Sequence, residues 1–120
     1  MTEKEKPRIQ VATHEAAHAV VAEMLDIKVL NIVVNDQDGY CEYEPCDRSG
    51  FIWAIVALAG SCAEQVFFQQ QKDEFDESDY LEAVENIGGD RNDIQVLSHL
   101  VRHLVRDVKD QIRKKAESLL

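Results

Sequence analysis

Residues 49–71 form a long, strongly apolar stretch that the rest of the chain has to cover. As an α-helix, this stretch carries apolar side chains on nearly every side of its first turns, and such a helix is stable only when it is buried. We therefore expect it to be the central helix of the fold. Its longest uninterrupted apolar run, residues 51–59, is shorter than the roughly 20 residues that span a bilayer, so we expect no membrane-spanning segment.

Size and charge limit what kind of protein this is. The 120 residues suit a single domain over residues 1–120, in which the charged residues 1–7 form a flexible tail. There are 13 basic and 23 acidic residues, which gives a formal net charge of −10. This balance argues against nucleic acid and against a membrane as partners. No apolar segment directly follows the charged N-terminus, which argues against a signal peptide and favours a cytoplasmic protein.

The three cysteines, Cys41, Cys46 and Cys62, are too few, and odd in number, for a disulfide framework. Cys41 and Cys46 are also too few for a zinc knuckle, so we expect buried or unreactive thiols. The chain has no glycine-rich phosphate-binding loop, and we therefore expect no nucleotide hydrolysis.

The first half of the chain predicts a helix followed by a β-hairpin. Alanine and other apolar residues recur with helical spacing over residues 8–25, which favours an α-helix. β-Branched residues dominate residues 28–35, and residues 40–44 alternate between apolar and acidic side chains, so both segments favour strands. Gly39 lies between them and suits a tight turn, which predicts a two-stranded β-ribbon.

The second half predicts an acidic connection and a long final helix. Residues 73–85 contain seven acidic and no basic side chains, so we expect a solvated loop with a short helix around residues 80–85. Two glycines then break the pattern, and Asp90 is a suitable N-cap for a helix over residues 90–120. The predicted fold class is therefore mainly α, a helical array with one two-stranded β-ribbon.

The segment His14-Glu15-Ala16-Ala17-His18 is an H-E-x-x-H motif inside the first helix. Residues four apart lie on the same face of an α-helix, one turn from each other, so both imidazoles can bind one metal ion. Glu15 can take a proton from a water beside that ion as a general base, without being a ligand. Zinc suits such a site, and two histidines with one carboxylate also serve other divalent metals.

A catalytic zinc needs a third protein ligand from elsewhere in the chain. Asp93 is a candidate, because it follows two glycines and opens the final helix; as an ordinary first-turn acid it would only favour the helix dipole. Glu64 lies on the otherwise apolar central helix, where it either holds a ligating histidine or faces solvent. Spacing alone leaves these alternatives open.

Four segments, in this order, resemble the peptidase domain of the FtsH-type ATP-dependent zinc metalloproteases. The H-E-x-x-H segment resembles that family's metal helix, and residues 28–43 resemble the β-ribbon beside its active site. Residues 58–65 resemble its G-G-R-x-A-E-E helix, and residues 89–94 resemble its G-A-x-N-D-L segment. The similarity covers roughly residues 10–108.

The resemblance implies a zinc-dependent endopeptidase that acts on peptides or unfolded proteins. It makes His14, His18 and Asp93 the ligands of one Zn²⁺ per chain. It makes Glu15 the general base, and Glu64 stays a candidate partner of a ligating histidine. Three residues at the exposed edge of the ribbon would pair with an extended substrate: Cys41, Glu42 and Tyr43.

The chain also departs from the family pattern. Ala17 stands where the family usually has glycine, and Gln65 replaces the second glutamate of the A-E-E segment. Ser61-Cys62 replaces its R-x pair. We expect no ATPase domain or membrane segment in this chain, so cleavage of folded proteins would need a separate ATPase or unfoldase as partner.

Two other interpretations stay open. The domain is either a peptidase or a catalytically inactive binding or assembly module on the same scaffold, with helical faces that serve as homo-oligomer interfaces. Alternatively, the H-E-x-x-H spacing is accidental in a metalloprotein of unrelated fold, and a third ligand other than Asp93 would point there. Metal content and cleavage of unfolded substrates distinguish these hypotheses.

Overall fold

The computed structural model of the protein describes residues 6–71 and 74–120. Seven elements follow one another in the described residues: α1 Arg8–Met24, β1 Val29–Val34, β2 Gly39–Tyr43, α2 Gly50–Phe68, α3 Glu77–Ile87, α4 Arg91–Asp107 and α5 Lys109–Ser118. The two strands form an antiparallel ribbon, so the predicted mainly helical class with one β-ribbon is confirmed. Of the predicted tail over residues 1–7, residues 1–5 lie outside the described part of the chain.

α2 is the central helix, as its composition predicts. It contacts α1, α3 and α4, and its residues from Ala54 to Gln65 are buried. Its first turn is more open than expected, since Phe51 is 52% exposed. Within the described residues, α2 is the one helix long and apolar enough to cross a membrane, but 67% of that stretch is buried inside the fold. Burial against three helices accounts for its apolar composition.

The ribbon packs against α1. Val29 of β1 pairs with Tyr43 of β2, and the register shifts by a bulge between Val29 and Asn31. Because successive strand residues point to opposite faces, Cys41 and Tyr43 share one face of β2 and Glu42 lies on the other. There the Glu42 carboxylate accepts a hydrogen bond from the Asn31 amide at 3.3 Å.

The acidic connection folds into a longer helix than predicted. α3 begins after its N-cap, Asp76, whose side chain accepts from the backbone N–H groups of Ser78 and Asp79. α3 packs on α2 through the face that carries Ala83, and Asp79 lies one turn earlier on that face, only 4% exposed. The prediction of a solvated face over residues 73–85 is therefore wrong at Asp79; residue 73 lies outside the described part.

The predicted helix over residues 90–120 is divided in two. α4 ends at Asp107, and the N–H of its C-cap, Val108, donates to the carbonyls of Leu104 and Val105. α5 begins at the next residue, Lys109. α4 packs on α2, whereas α5 packs on α1. Apolar side chains at helical spacing lie on the buried side of both halves: Val105 and Ile112 are fully buried. This spacing does not predict the division, because each half is buried against a different helix.

Candidate metal centre

The two histidines of the H-E-x-x-H motif lie together inside the protein. Every residue of α1 from Val11 to Ala22 is buried, because α2, α5 and the ribbon all pack on this helix. His14 and His18 are each 7% exposed, and their ring centroids lie 4.8 Å apart. The four-residue spacing therefore brings both rings to the same side of α1.

Each ring is held by its Nδ1 atom. Nδ1 of His18 lies 2.7 Å from the carbonyl oxygen of Val56, and Nδ1 of His14 hydrogen bonds the carboxylate of Glu64. A carbonyl oxygen only accepts, so Nδ1 of His18 carries a proton and donates it. In a neutral imidazole held in this way, Nε2 keeps the lone pair with which histidine binds metals.

Both Nε2 atoms face the carboxylate of Asp79. Its Oδ2 lies 3.2 Å from Nε2 of His14, and its Oδ1 lies 3.2 Å from Nε2 of His18. One ligand atom from each of the three residues lies within 4.8 Å of the others. In a tetrahedral zinc site, with bonds near 2.1 Å, neighbouring ligand atoms lie about 3.4 Å apart. This buried group can therefore hold a metal ion.

Gly60 of α2 lets both imidazole rings lie directly against that helix. A Cβ atom on Gly60 would lie 2.5 Å from Nε2 and Cδ2 of His14 and 2.5 Å from Nε2 of His18. These separations are too short for a carbon atom, so any side chain at this position would displace the rings. The glycine therefore allows the two Nε2 atoms to keep their present positions.

Opposite charges control the protonation of this group. Burial disfavours the cation of His14, but hydrogen bonds to Asp79 and Glu64 outweigh burial and raise its pKa to about 10. Burial also opposes the cation of His18, and the Asp79 carboxylate outweighs it, so the pKa of His18 is raised. For Asp79, burial favours the neutral acid, but the two histidines hold its pKa far below the usual range. Without a metal, protons on the histidines balance Asp79, and a bound cation would replace them.

Glu15 lies in a cleft of 520 Å³ that His14, His18 and Asp79 also line. Burial raises its pKa, and the positive charge of the two histidines only partly offsets this effect. A carboxyl group with a raised pKa is better suited to accept and return a proton than an ordinary one. The arrangement thus places a candidate proton carrier beside a candidate metal ligand set.

The three ribbon residues predicted to contact substrate are divided by the strand's alternation. Cys41 and Tyr43 line the cleft, and Glu42 does not. The Cys41 thiol donates towards the Glu15 carbonyl at 3.3 Å and lies 3.6 Å from Oε1 of Glu15. Burial raises the pKa of Cys41 and keeps it a neutral thiol. Tyr43 packs edge-to-face on Trp53, with ring centroids 5.6 Å apart.

Asp93, the third ligand in the sequence analysis, lies elsewhere. Its carboxylate accepts from the N–H of Asp90, and the Asp90 carboxylate accepts from the N–H of Asp93, which makes a capping box at the start of α4. Asp93 is exposed and lines a separate groove with Phe51 and Leu100. The carboxylate that lies beside the histidines belongs to Asp79, so the prediction of Asp93 as the third ligand is corrected. Asp93 is instead an ordinary acid in the first turn of its helix, which is the other interpretation that the sequence allowed.

Sequence reasoning misses Asp79 because it lies within an acidic run. One feature could have separated it from its neighbours. Asp79 precedes Ala83 by one helical turn and Ile87 by two, so it shares the apolar face of α3. A carboxylate on an apolar face needs a buried partner. Which partner it meets depends on how α3 packs, and that is a tertiary property.

No protein-family model matches this chain, and no curated protein matches it significantly.

Proposed function

We propose that the protein is a zinc-dependent endopeptidase that cleaves unfolded or extended polypeptides. The observation that supports this most is the position of the Asp79 carboxylate, 3.2 Å from Nε2 of His14 and 3.2 Å from Nε2 of His18. With Glu15 in the same cleft, these residues have the composition of a catalytic site. Three protein ligands leave the fourth position of zinc open, as catalytic sites do.

The residues around the ligands have separate tasks in this proposal. When bound, zinc supplies a Lewis acid that polarises the scissile carbonyl and lowers the pKa of a coordinated water to about 7. Glu15 takes a proton from the attacking water and passes it to the leaving nitrogen, while the hydroxyl group adds to the carbonyl carbon and the C–N bond breaks. Glu64 and the Val56 carbonyl hold the histidine rings through Nδ1. That contact keeps each Nε2 directed at the ion.

The ribbon offers a place for the substrate. Within the described residues the sheet has two strands, so β2 keeps an unpaired edge to which an extended chain can add by backbone hydrogen bonds. Cys41 and Tyr43 of β2 line the cleft beside Glu15. A polypeptide paired with β2 would therefore pass close to the proposed ligands, and only an unfolded segment can pair in this way. Folded substrates would need a separate unfoldase.

A third carboxylate other than Asp93 favours an accidental motif in an unrelated metalloprotein, but three features favour an FtsH-type peptidase arrangement. The ribbon packs on the helix that carries the motif. Glu64, from the segment that resembles G-G-R-x-A-E-E, bonds His14. The third carboxylate, Asp79, follows that segment along the chain, as the family's aspartate does.

The proposal places the protein in the cytoplasm. The acidic composition and the burial of α2 inside the fold support this location.

The test combines metal content with cleavage of an unfolded protein. The purified protein and its Glu15→Gln variant are loaded with zinc, freed of excess, and analysed by elemental mass spectrometry and by casein hydrolysis. We expect about one zinc per chain in both proteins. Cleavage should fall by about 10²–10⁴-fold in the variant, since it lacks its general base. The matched control is Glu23→Gln, which replaces an exposed acid on the same helix. It should change neither the zinc content nor the rate of casein cleavage.

The results separate the hypotheses. Equal cleavage by the parent and by Glu15→Gln would remove Glu15 as the base. Stoichiometric zinc without cleavage of any unfolded substrate would favour the inactive binding module. No zinc in the parent would exclude the metal centre altogether.

A further inference from the structure

Ser61, in the middle of α2, contacts Asp79 through two donors. The Ser61 hydroxyl donates to Oδ2 of Asp79 at 2.7 Å, and the Ser61 backbone N–H lies 3.1 Å from the same oxygen. Ser61 is 2% exposed, so water competes little for these contacts. Hydrogen bonds to a buried carboxylate are among the stronger ones in proteins, because the acceptor carries a charge.

The Ser61 hydroxyl is itself held in one orientation. Its oxygen accepts from the backbone N–H of Asp76, the N-cap of α3, at 2.9 Å. A hydroxyl has one proton, and a backbone N–H can only donate, so the proton of Ser61 points to Asp79. Ser61 thus connects α2 both to the start of α3 and to the carboxylate one turn further along.

The two oxygens of Asp79 therefore have different surroundings. Oδ2 faces both donors of Ser61 as well as Nε2 of His14, whereas Oδ1 faces Nε2 of His18. An oxygen that already accepts two protein hydrogen bonds has less electron density left for an ion. Oδ1 is consequently the better ligand atom, and Ser61 keeps it directed at the histidines.

We propose that Ser61 is the positioning residue of the metal centre: it holds Oδ2 of Asp79 so that Oδ1 binds the ion. This inference rests on the proposed metal centre, but it does not depend on peptide cleavage. Partners of ligating side chains typically change metal affinity by about 10–100-fold when they are removed. A role confined to joining α2 and α3 would instead lower stability and leave the affinity for zinc unchanged.

The test is the affinity of the full chain for Zn²⁺, measured by competition with a chromophoric chelator. Ser61→Ala should bind zinc about 10–100-fold more weakly than the parent. Ser61→Thr keeps the hydroxyl and should stay within a few-fold of the parent. Ser98→Ala is the matched control: Ser98 is fully buried on α4 and bonds the Gln95 carbonyl instead of the site. The zinc affinity of Ser98→Ala should also stay within a few-fold of that of the parent.

Two further measurements distinguish a loss of folding from a loss of zinc affinity. Urea unfolding of the metal-free variants shows whether Ser61→Ala is folded under the titration conditions. If it is not, Ser61→Val, which has the shape of threonine without its hydroxyl, takes its place and should bind zinc more weakly than Ser61→Thr. The visible spectrum of bound Co²⁺ should change in Ser61→Ala and not in Ser98→Ala, because the ligand field depends on how Asp79 is oriented.

The zinc affinities distinguish an error about Ser61 from the absence of a metal centre. Parental zinc affinity in folded Ser61→Ala, or in Ser61→Val where that variant replaces it, would overturn the role of Ser61 and leave the centre in place. Absence of zinc binding by the parent would refute the centre, and the role of Ser61 with it.

Discussion

Oδ1 of Asp79 lies 3.2 Å from Nε2 of His18, so a carboxylate from α3 meets an imidazole from α1. The other oxygen of Asp79 makes the same approach to His14. The three side chains are buried, and α2 contributes to their surroundings through Gly60 and Ser61. The contacts of Asp79 join α1, α2 and α3, and they also place three possible metal ligands side by side.

Replacement of Asp79 should abolish metal binding, and replacement of Asp93 should not. Asp79→Ala removes the carboxylate between the histidines and should leave far less than one zinc per chain after desalting, by elemental mass spectrometry. Asp93→Ala removes half of the capping box, so it should retain zinc and lose roughly 0.3–1.5 kcal/mol of unfolding free energy in urea. Zinc loss in Asp93→Ala together with full zinc in Asp79→Ala would reverse the assignment.

Gly60→Ala should exclude the metal although every ligand remains. The added methyl carbon would lie 2.5 Å from both Nε2 atoms, so the rings would have to move and their nitrogens would no longer face Asp79 together. We expect loss of zinc by elemental analysis, with circular dichroism showing retained helices. Gly88→Ala is the control. Its φ of +62° makes alanine cost about 1–2 kcal/mol, yet nothing lies within 4 Å of the added carbon. Gly88→Ala should therefore be less stable and still bind zinc.

Glu64→Gln should weaken zinc binding without removing a ligand. Glu64 accepts from Nδ1 of His14, and its negative charge makes that imidazole a stronger ligand. The amide keeps an acceptor oxygen but not the charge, so we expect the dissociation constant for zinc to rise by about 10–100-fold in a chelator competition. Glu23→Gln, on the exposed side of α1, should leave it unchanged. Equal affinities of Glu64→Gln and the parent would contradict this role.

The stability of the metal-free protein should fall as the pH rises above 6.5. The pKa of His14 is about 10 in the folded protein against 6.5 as its ordinary value, so its contribution is complete below pH 6.5 and is lost towards pH 10. Asp79 has a lowered pKa, so its contribution is present above its ordinary value of 3.8 and is lost at lower pH. Each proton changes the unfolding free energy by at most about 1.4 kcal/mol per pH unit.

Urea unfolding between pH 4 and pH 10, with a chelator present, measures this dependence. His14→Gln removes the titrating group and should flatten the decline above pH 6.5. A decline of the same slope in His14→Gln and in the parent would show that other groups cause it.

Zinc affinity should show the opposite trend. Zinc binds neutral imidazole and must displace the protons that Asp79 holds on His14 and His18. The apparent association constant should therefore rise with pH, by up to about tenfold per pH unit for each displaced proton. Calorimetry in buffers of different ionisation enthalpy counts these protons. An affinity that is constant from pH 6 to pH 9 would contradict the raised pKa values.

Local patterns predict much of this fold, because they depend on residues close in sequence. The apolar composition of α2 requires burial, and the alternation around Gly39 favours a hairpin; both elements are found. The four-residue spacing of His14 and His18 places both on one face of a helix wherever that helix packs. Asp90 caps α4 because capping also needs only the neighbouring backbone.

The third carboxylate could not be chosen in this way. Asp79 and Asp93 both lie in the first turn of a helix, and each follows an N-cap aspartate three residues earlier, Asp76 and Asp90 respectively. Their local chemistry is nearly the same, so propensity and charge do not separate them. The choice depends on the packing of α3 against α2, which buries Asp79 beside Ser61 and leaves Asp93 at the surface.

Sequence and tertiary structure thus account for different halves of the site. The amino-acid order places two imidazoles and Glu15 on one helix, because helical geometry relates residues within a turn. Only the packed structure brings Asp79 to those imidazoles and sets Gly60 against their nitrogens. The physical reason is that contacts between distant segments follow from how the helix faces bury one another, and this is a property of the whole chain and not of any single segment.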